Sequence, residues 1–150
     1  MKPAPVMHPL AIAAIATLVV NDHVLKHAFP GFVTGKLSDA AGMVFFPLLL
    51  TAFTRSRRAL AIACVATAVV FALVKTLPAA NDLYRVTWGA MQWPLRALRA
   101  WLAHRPAPGI ARVVLVRDPS DLLAVPFVLL AWRIGVTHRQ TFGRGTSHAA

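Results

Sequence analysis

The sequence predicts an all-α integral membrane fold, a four-helix bundle with a short amphipathic helix at the membrane interface. Three observations carry that reading. Hydrophobic residues make up 57% of the 150 residues, mean hydropathy is +0.61, and charged residues are only 14%, where soluble domains average about 25%. A soluble domain of this length needs a polar surface that these residues cannot build, so lipid is the solvent that fits. The apolar residues also collect in four separate stretches. Between the third and fourth, apolar residues recur at helical spacing with arginines and tryptophans close by.

The first stretch runs from Pro9 to Val20 and the second from Ala40 to Phe53. The third, Ala59 to Val74, carries no charge, and the fourth runs from Leu122 to Trp132, extendable to Val136. Each is shorter than the roughly 20 residues that span a bilayer core. The flanks must supply the missing length and so draw polar residues toward the membrane boundary. The first stretch follows Lys2 as a signal peptide would, but Ala11, Ala13, Ala14 and Ala16 lie inside the run and no cleavage-like site follows it. It reads as an uncleaved first helix. Met91, Leu95, Leu98 and Leu102 share one helical face, with Arg96 and Arg99 off it and Trp88, Trp93 and Trp101 nearby. That pattern predicts an interfacial helix over about residues 90–104, stopped by Pro106, Pro108 and Gly109. The expected organisation is one transmembrane domain over residues 1–137 and a disordered basic tail over 138–150.

Sixteen Lys and Arg stand against five acids, a net charge of +11. No zinc-finger cysteines or aromatic RNA-binding motif accompany the charge, which excludes nucleic acid and leaves anionic lipid headgroups as the expected partner. Arg55, Arg57 and Arg58 in the tight loop between the second and third stretches place that loop, and with it both termini, in the cytoplasm. The single cysteine, Cys64, sits mid-run, forms no intrachain disulfide and reads as a packing residue.

A weak internal duplication relates residues 9–54 to residues 59–137. Thr17-Leu18 leads to Asn21-Asp22 at the expected end of helix one, and Thr76-Leu77 leads to Asn81-Asp82 at the expected end of helix three. Lys26 follows the first pair and Arg85 the second. Ser38-Asp39 and Ser120-Asp121 then open the second and fourth helices, and Pro47 and Pro126 interrupt them. All five acids of the chain, Asp22, Asp39, Asp82, Asp118 and Asp121, fall on the same side of a four-span layout. Ionisable groups at such a boundary are costly and often functional. Helix capping would explain Asp39 and Asp121 as well. It would not explain Asp22 and Asp82, since an acid at a helix exit meets the wrong end of the dipole. The candidate site is therefore Asp22, Asp39, Asp82 and Asp121, with Asn21 and Asn81 to orient acids and Lys26 and Arg85 to pair with them. His23 and His27 have the spacing of a shared zinc ion but no third ligand. Gly35-Lys36 lacks the rest of a phosphate loop. Neither a metal nor a cofactor is expected.

The segments Asn21-Asp22-His23-Val24-Leu25-Lys26, Thr34-Gly35-Lys36-Leu37-Ser38-Asp39 through Gly42, and Arg117-Asp118-Pro119-Ser120-Asp121 together resemble an uncharacterised family of bacterial multi-pass membrane proteins. That resemblance reaches to about residue 136 and implies a bacterial inner membrane, with no activity attached. A more remote resemblance is to signal peptidase II, the lipoprotein signal peptidase, a four-helix family with two catalytic aspartates near the outer membrane face. Asp22-His23-Val24-Leu25-Lys26 is similar to the end of its first helix, with His for Gln. Asn81-Asp82 with Arg85 is similar to its third, with altered spacing, and Asp121 matches the final acid of its fourth. The likeness implies Asp82 and Asp121 as a catalytic pair sharing one proton. Two functions are thus expected: a non-enzymatic membrane protein whose acid-lined site binds a cation, a proton or a partner protein, or else an aspartyl hydrolase at the membrane face.

Overall fold

The four apolar stretches lie in longer helical segments, the second running on past the end of its helix at Leu50, in the computed structural model, which describes the backbone of residues 7–29, 31–54 and 56–144 and the side chains as far as His138. Helix α1 is Pro9–Ala28, α2 is Phe32–Leu50, α3 is Arg57–Thr76 and α4 is Pro78–Leu102. A 3-10 segment, Pro119–Phe127, then runs into α5, Val128–Arg144. The described residues contain no strand. Four helical segments are long and apolar enough to cross a membrane: Pro9–Ala28, Phe32–Leu50, Arg57–Thr76 and Pro119–His138, of 20, 19, 20 and 20 residues. The flanks do supply the length that the apolar runs lack.

Three expected boundaries are corrected. Asn21-Asp22 is not a helix exit, because the helix passes through a π turn, Asn21–Leu25, and continues to Ala28. Ser38-Asp39 does not open α2, which begins at Phe32. Thr34 steadies that start, its hydroxyl accepting from the Gly31 N–H at 3.2 Å and lying 3.1 Å from the Phe29 carbonyl. Asn81-Asp82 is not an exit either, since α3 stops at Thr76 and α4 starts at Pro78. Proline suits that first helical position because its missing N–H would have had no partner there. The amphipathic helix is accordingly longer than residues 90–104. It ends where His104, at φ 51°, takes the left-handed conformation and the Arg105 N–H bonds the Ala100 carbonyl at 2.8 Å, a closure that usually falls to glycine. α5 carries the helix on to Arg144, into the segment expected to be disordered. Residues 145–150 of that tail, like Lys2 and Arg55, lie outside the described residues.

The chain divides into two compact units, residues 1–71 with 120–150 and residues 72–119. In the first, α2 packs on α1 and on α5, and α3 packs on α5. The shared core is built largely from small side chains, among them Ala11, Ala14, Ala41, Cys64 and Ala131, which lets helix backbones approach closely. Cys64 is buried there as expected, its thiol 3.9 Å from the Val128 carbonyl. A Cβ on Gly135 would come 2.5 Å from Cδ2 of the fully buried Leu60, so this glycine sets the approach of α3 to α5. The outward side chains are apolar, with Ile12 52%, Val33 74% and Ile62 68% exposed. That inversion of a soluble surface suits hydrocarbon.

The second unit is α4 with a returning arm. Arg85, Gly89 and Trp93 recur every fourth residue and so form one stripe along the helix. The arm lies along it. The Val113 N–H bonds the Arg85 carbonyl at 3.2 Å, Arg85 Nε donates to the Val113 carbonyl at 2.9 Å, and Trp93 Nε1 donates to the Pro108 carbonyl at 2.7 Å. Gly89 sits between those anchors, where a Cβ would overlap the Ala111 carbonyl oxygen.

Candidate functional site

Within the first unit, polar side chains gather along both sides of α2. The first side is built on Asn21, which the π turn of α1 carries. In that turn the Lys26 N–H reaches back to the Asn21 carbonyl, five residues away instead of four, and such turns are common at functional positions. The Asn21 side chain is fully buried. Its Nδ2 donates to the Thr34 carbonyl and to the Ser38 hydroxyl, each at 2.6 Å. Because a backbone carbonyl only accepts, the amide nitrogen must face Thr34, and the orientation of the group is set. Oδ1 is then buried with no hydrogen-bond partner among the described residues. Such an atom costs about 1–3 kcal/mol in desolvation. The Ser38 hydroxyl donates in turn to Asp22 Oδ1 at 2.6 Å, and Lys26 Nζ meets the same oxygen at 2.7 Å. Asp22 and Lys26 are 45% and 41% exposed, so this ion pair is the outer edge of the cluster and Asn21 its interior.

The second side is built on Lys36. It lies two residues from both Thr34 and Ser38, about 200° around the helix, and so points away from Asn21. Its ammonium pairs with the Asp121 carboxylate, donates to the Ser120 hydroxyl at 2.6 Å and stands 4.7 Å from the centre of the Phe32 ring. The side chains of Lys36 and Asp121 are only 16% and 9% exposed. Asp39, half-buried on α2, follows Ser38 directly and Lys36 by three residues. The polar cluster thus holds the carboxylates Asp22, Asp39 and Asp121 and the ammonium groups Lys26 and Lys36, with Asp22 and Lys26 on the Asn21 side. Its uncharged ligands are carbonyl and hydroxyl oxygens.

The remaining predicted residues belong to the second unit and serve its local structure. Asn81 is buried, and its Nδ2 donates to the Val74 carbonyl at 3.1 Å, tying the start of α4 to the end of α3. Asp82 is exposed and meets Arg85 at 3.5 Å. Its place near the start of α4 is the favourable end of the dipole, which removes the misfit that singled it out. Burial raises the Tyr84 hydroxyl above its usual value of 10.0, against the opposing charge of Lys75. His23 bonds the Val19 carbonyl at 3.0 Å, and among the described residues no group of three or more His, Cys, Asp or Glu forms a metal-binding cluster.

Sequence reasoning missed Lys36, Ser120 and Thr34. Lys36 and Asp121 are 85 residues apart, so no local spacing announces their contact. The one available signal was a lysine in the first turns of an apolar span, which must find a counter-ion. Comparison of the chain with protein-family models, curated proteins and solved structures gives no match.

Proposed function

We propose that the chain is a four-helix membrane bundle of a bacterial inner membrane, with both termini cytoplasmic, and that the polar cluster along α2 binds a small monovalent cation. One observation carries the reading. Among the described residues Asn21 Oδ1 is a fully buried acceptor without a donor. A monovalent cation satisfies that oxygen, next to the Asp22 carboxylate that Ser38 links to Asn21. Hydroxyl and carbonyl oxygens suit such a hard ion better than a transition metal. The hydrolase reading has less support. It requires two carboxyl groups acting on one water, whereas Asp82 meets Arg85 and Asp121 meets Lys36.

The test is the unfolding midpoint of the purified protein in neutral detergent. Sodium or potassium is titrated in against the bulky N-methylglucamine cation at constant ionic strength. The midpoint should rise with one of the small ions, by about 2.7 kcal/mol of stabilisation at a hundredfold excess over the dissociation constant. Asn21→Leu should abolish the response. Equal midpoints in all three cations would reject the cation site, and a response to pH alone would favour a proton.

The topology has its own test. Arg57 and Arg58 at the start of α3 support a cytoplasmic loop before it. A reporter active only in the cytoplasm, fused after Ala150, should work, and one active only in the periplasm should not. The reverse result would place the polar cluster on the cytoplasmic side.

A further inference from the structure

We infer that the apolar arc of α4 is a docking surface for an anionic lipid bilayer, seated at the boundary between headgroups and acyl chains. At about 100° per residue, Trp88, Met91, Leu95, Leu98 and Trp101 fall within an arc of about 140°. They are open in the structure, with Met91 64%, Leu95 65% and Trp101 71% exposed. The returning arm does not cover them, because it follows the Arg85, Gly89 and Trp93 stripe on another side of the helix. The arm therefore leaves α4 one free face, and that face is apolar.

Two observations select a lipid surface as its occupant. The first is continuity. α3 is long and apolar enough to span a membrane and ends at Thr76, and α4 begins at Pro78. In the membrane reading on which this inference rests, α4 starts at the bilayer boundary. The second is charge. Arg99 borders the apolar arc beside Trp88, Arg96 lies further round, and Arg105 follows the end of the helix. No carboxylate of α4 lies toward the C-terminal side of Asp82. An arginine head at the rim of an apolar face that a tryptophan bounds on either side matches a layer of phosphates above hydrocarbon. A protein partner would have to offer the same layering of acids over apolar groups.

The test uses the full chain reconstituted in vesicles and its four tryptophans, Trp88, Trp93, Trp101 and Trp132. Variants that keep one of Trp88, Trp101 or Trp132, with the others changed to Phe, are exposed to lipids brominated high on the acyl chain. These lipids are brominated phosphatidylglycerol or brominated phosphatidylcholine at equal mole fraction. Trp132, inside a candidate span, reports on the membrane reading alone. Trp88 and Trp101 should be quenched from the lipid and shielded from aqueous iodide. Phosphatidylglycerol should quench them more strongly, since an arginine near the surface contributes about 1 kcal/mol, roughly fivefold in local lipid preference. Arg96→Gln with Arg99→Gln should remove the preference and leave the depth unchanged. Equal quenching by the two lipids overturns the proposal. So does iodide access to Trp88 and Trp101 while Trp132 remains quenched by lipid, the result expected if a second copy or a soluble protein covers the face. Loss of Trp132 quenching as well would mark failure of the membrane reading itself.

Discussion

Asp121→Asn is expected to destabilise the protein by about 3–5 kcal/mol, because it leaves the Lys36 ammonium buried without its carboxylate. The loss cannot be assigned to capping, since Asn caps a helix about as well as Asp. Lys36→Met should cost a similar amount for the converse reason. The double variant, Lys36→Met with Asp121→Leu, should recover most of the loss, because a neutral apolar pair is often as stable as the buried ion pair it replaces. Unfolding in detergent with a double-mutant cycle, closed by Asp121→Leu alone, measures this directly, and the coupling should exceed about 1 kcal/mol. Single variants within about 0.5 kcal/mol of the parent would mean that the pair is solvated and contributes no more than a surface ion pair does.

The second large effect is expected at Gly89. Replacing glycine by alanine inside a helix ordinarily gains about 1 kcal/mol. Here the added Cβ would overlap the Ala111 carbonyl oxygen, and a backbone atom cannot rotate aside as a flexible side chain can. Gly89→Ala should therefore leave α4 helical but release the arm, and Gly89→Val should do so more completely. Amide hydrogen exchange at Val113, whose N–H bonds the Arg85 carbonyl, is the readout. Its protection should fall toward that of an open loop while the amides inside α4 keep theirs. Unchanged protection at Val113 in both variants would show that the arm does not depend on this close approach.

The four long apolar helices were legible because composition and run length report on solvent directly. Their ends were not. Asn21-Asp22-His23 has the polarity of a loop, yet the helix continues because Asn21 finds the Thr34 carbonyl and Ser38 across α2. Those contacts come from a different helix, and no periodicity in α1 contains them. Asn81-Asp82 was read as an exit for the same reason, although Pro78 just ahead of it carried an N-terminal signal. The amphipathic face of α4 was visible, but the Arg85, Gly89 and Trp93 stripe was not, because its meaning lies in the arm that returns to it. The apparent duplication rests on dipeptides whose settings differ. Asn21 lies inside one continuous helix, and Asn81 follows a break between two.

At the candidate site, the residue types were legible and the pairings were not. Asp22 with Lys26 and Asp82 with Arg85 could be read from helical spacing. Lys36 with Asp121 could not, since only the packing of α2 against the segment that leads into α5 brings them together. Asp82 drew attention through an apparent conflict with a helix dipole, and that conflict disappears once α4 is seen to begin at Pro78. Asn21 was expected to orient an acid. It reaches Asp22 only through Ser38, and its own buried oxygen is the more informative atom.

On the proposed function, this oxygen is a ligand atom and not an incidental feature of packing. The direct measurement is anomalous diffraction from crystals of the full chain grown with thallium(I) or rubidium in place of the lighter monovalent ions. An anomalous peak is expected within coordination distance of Asn21 Oδ1, lost in Asn21→Leu crystals. Density for an ordered water at that oxygen, with no anomalous peak beside it at any concentration of the heavy cation, would contradict it.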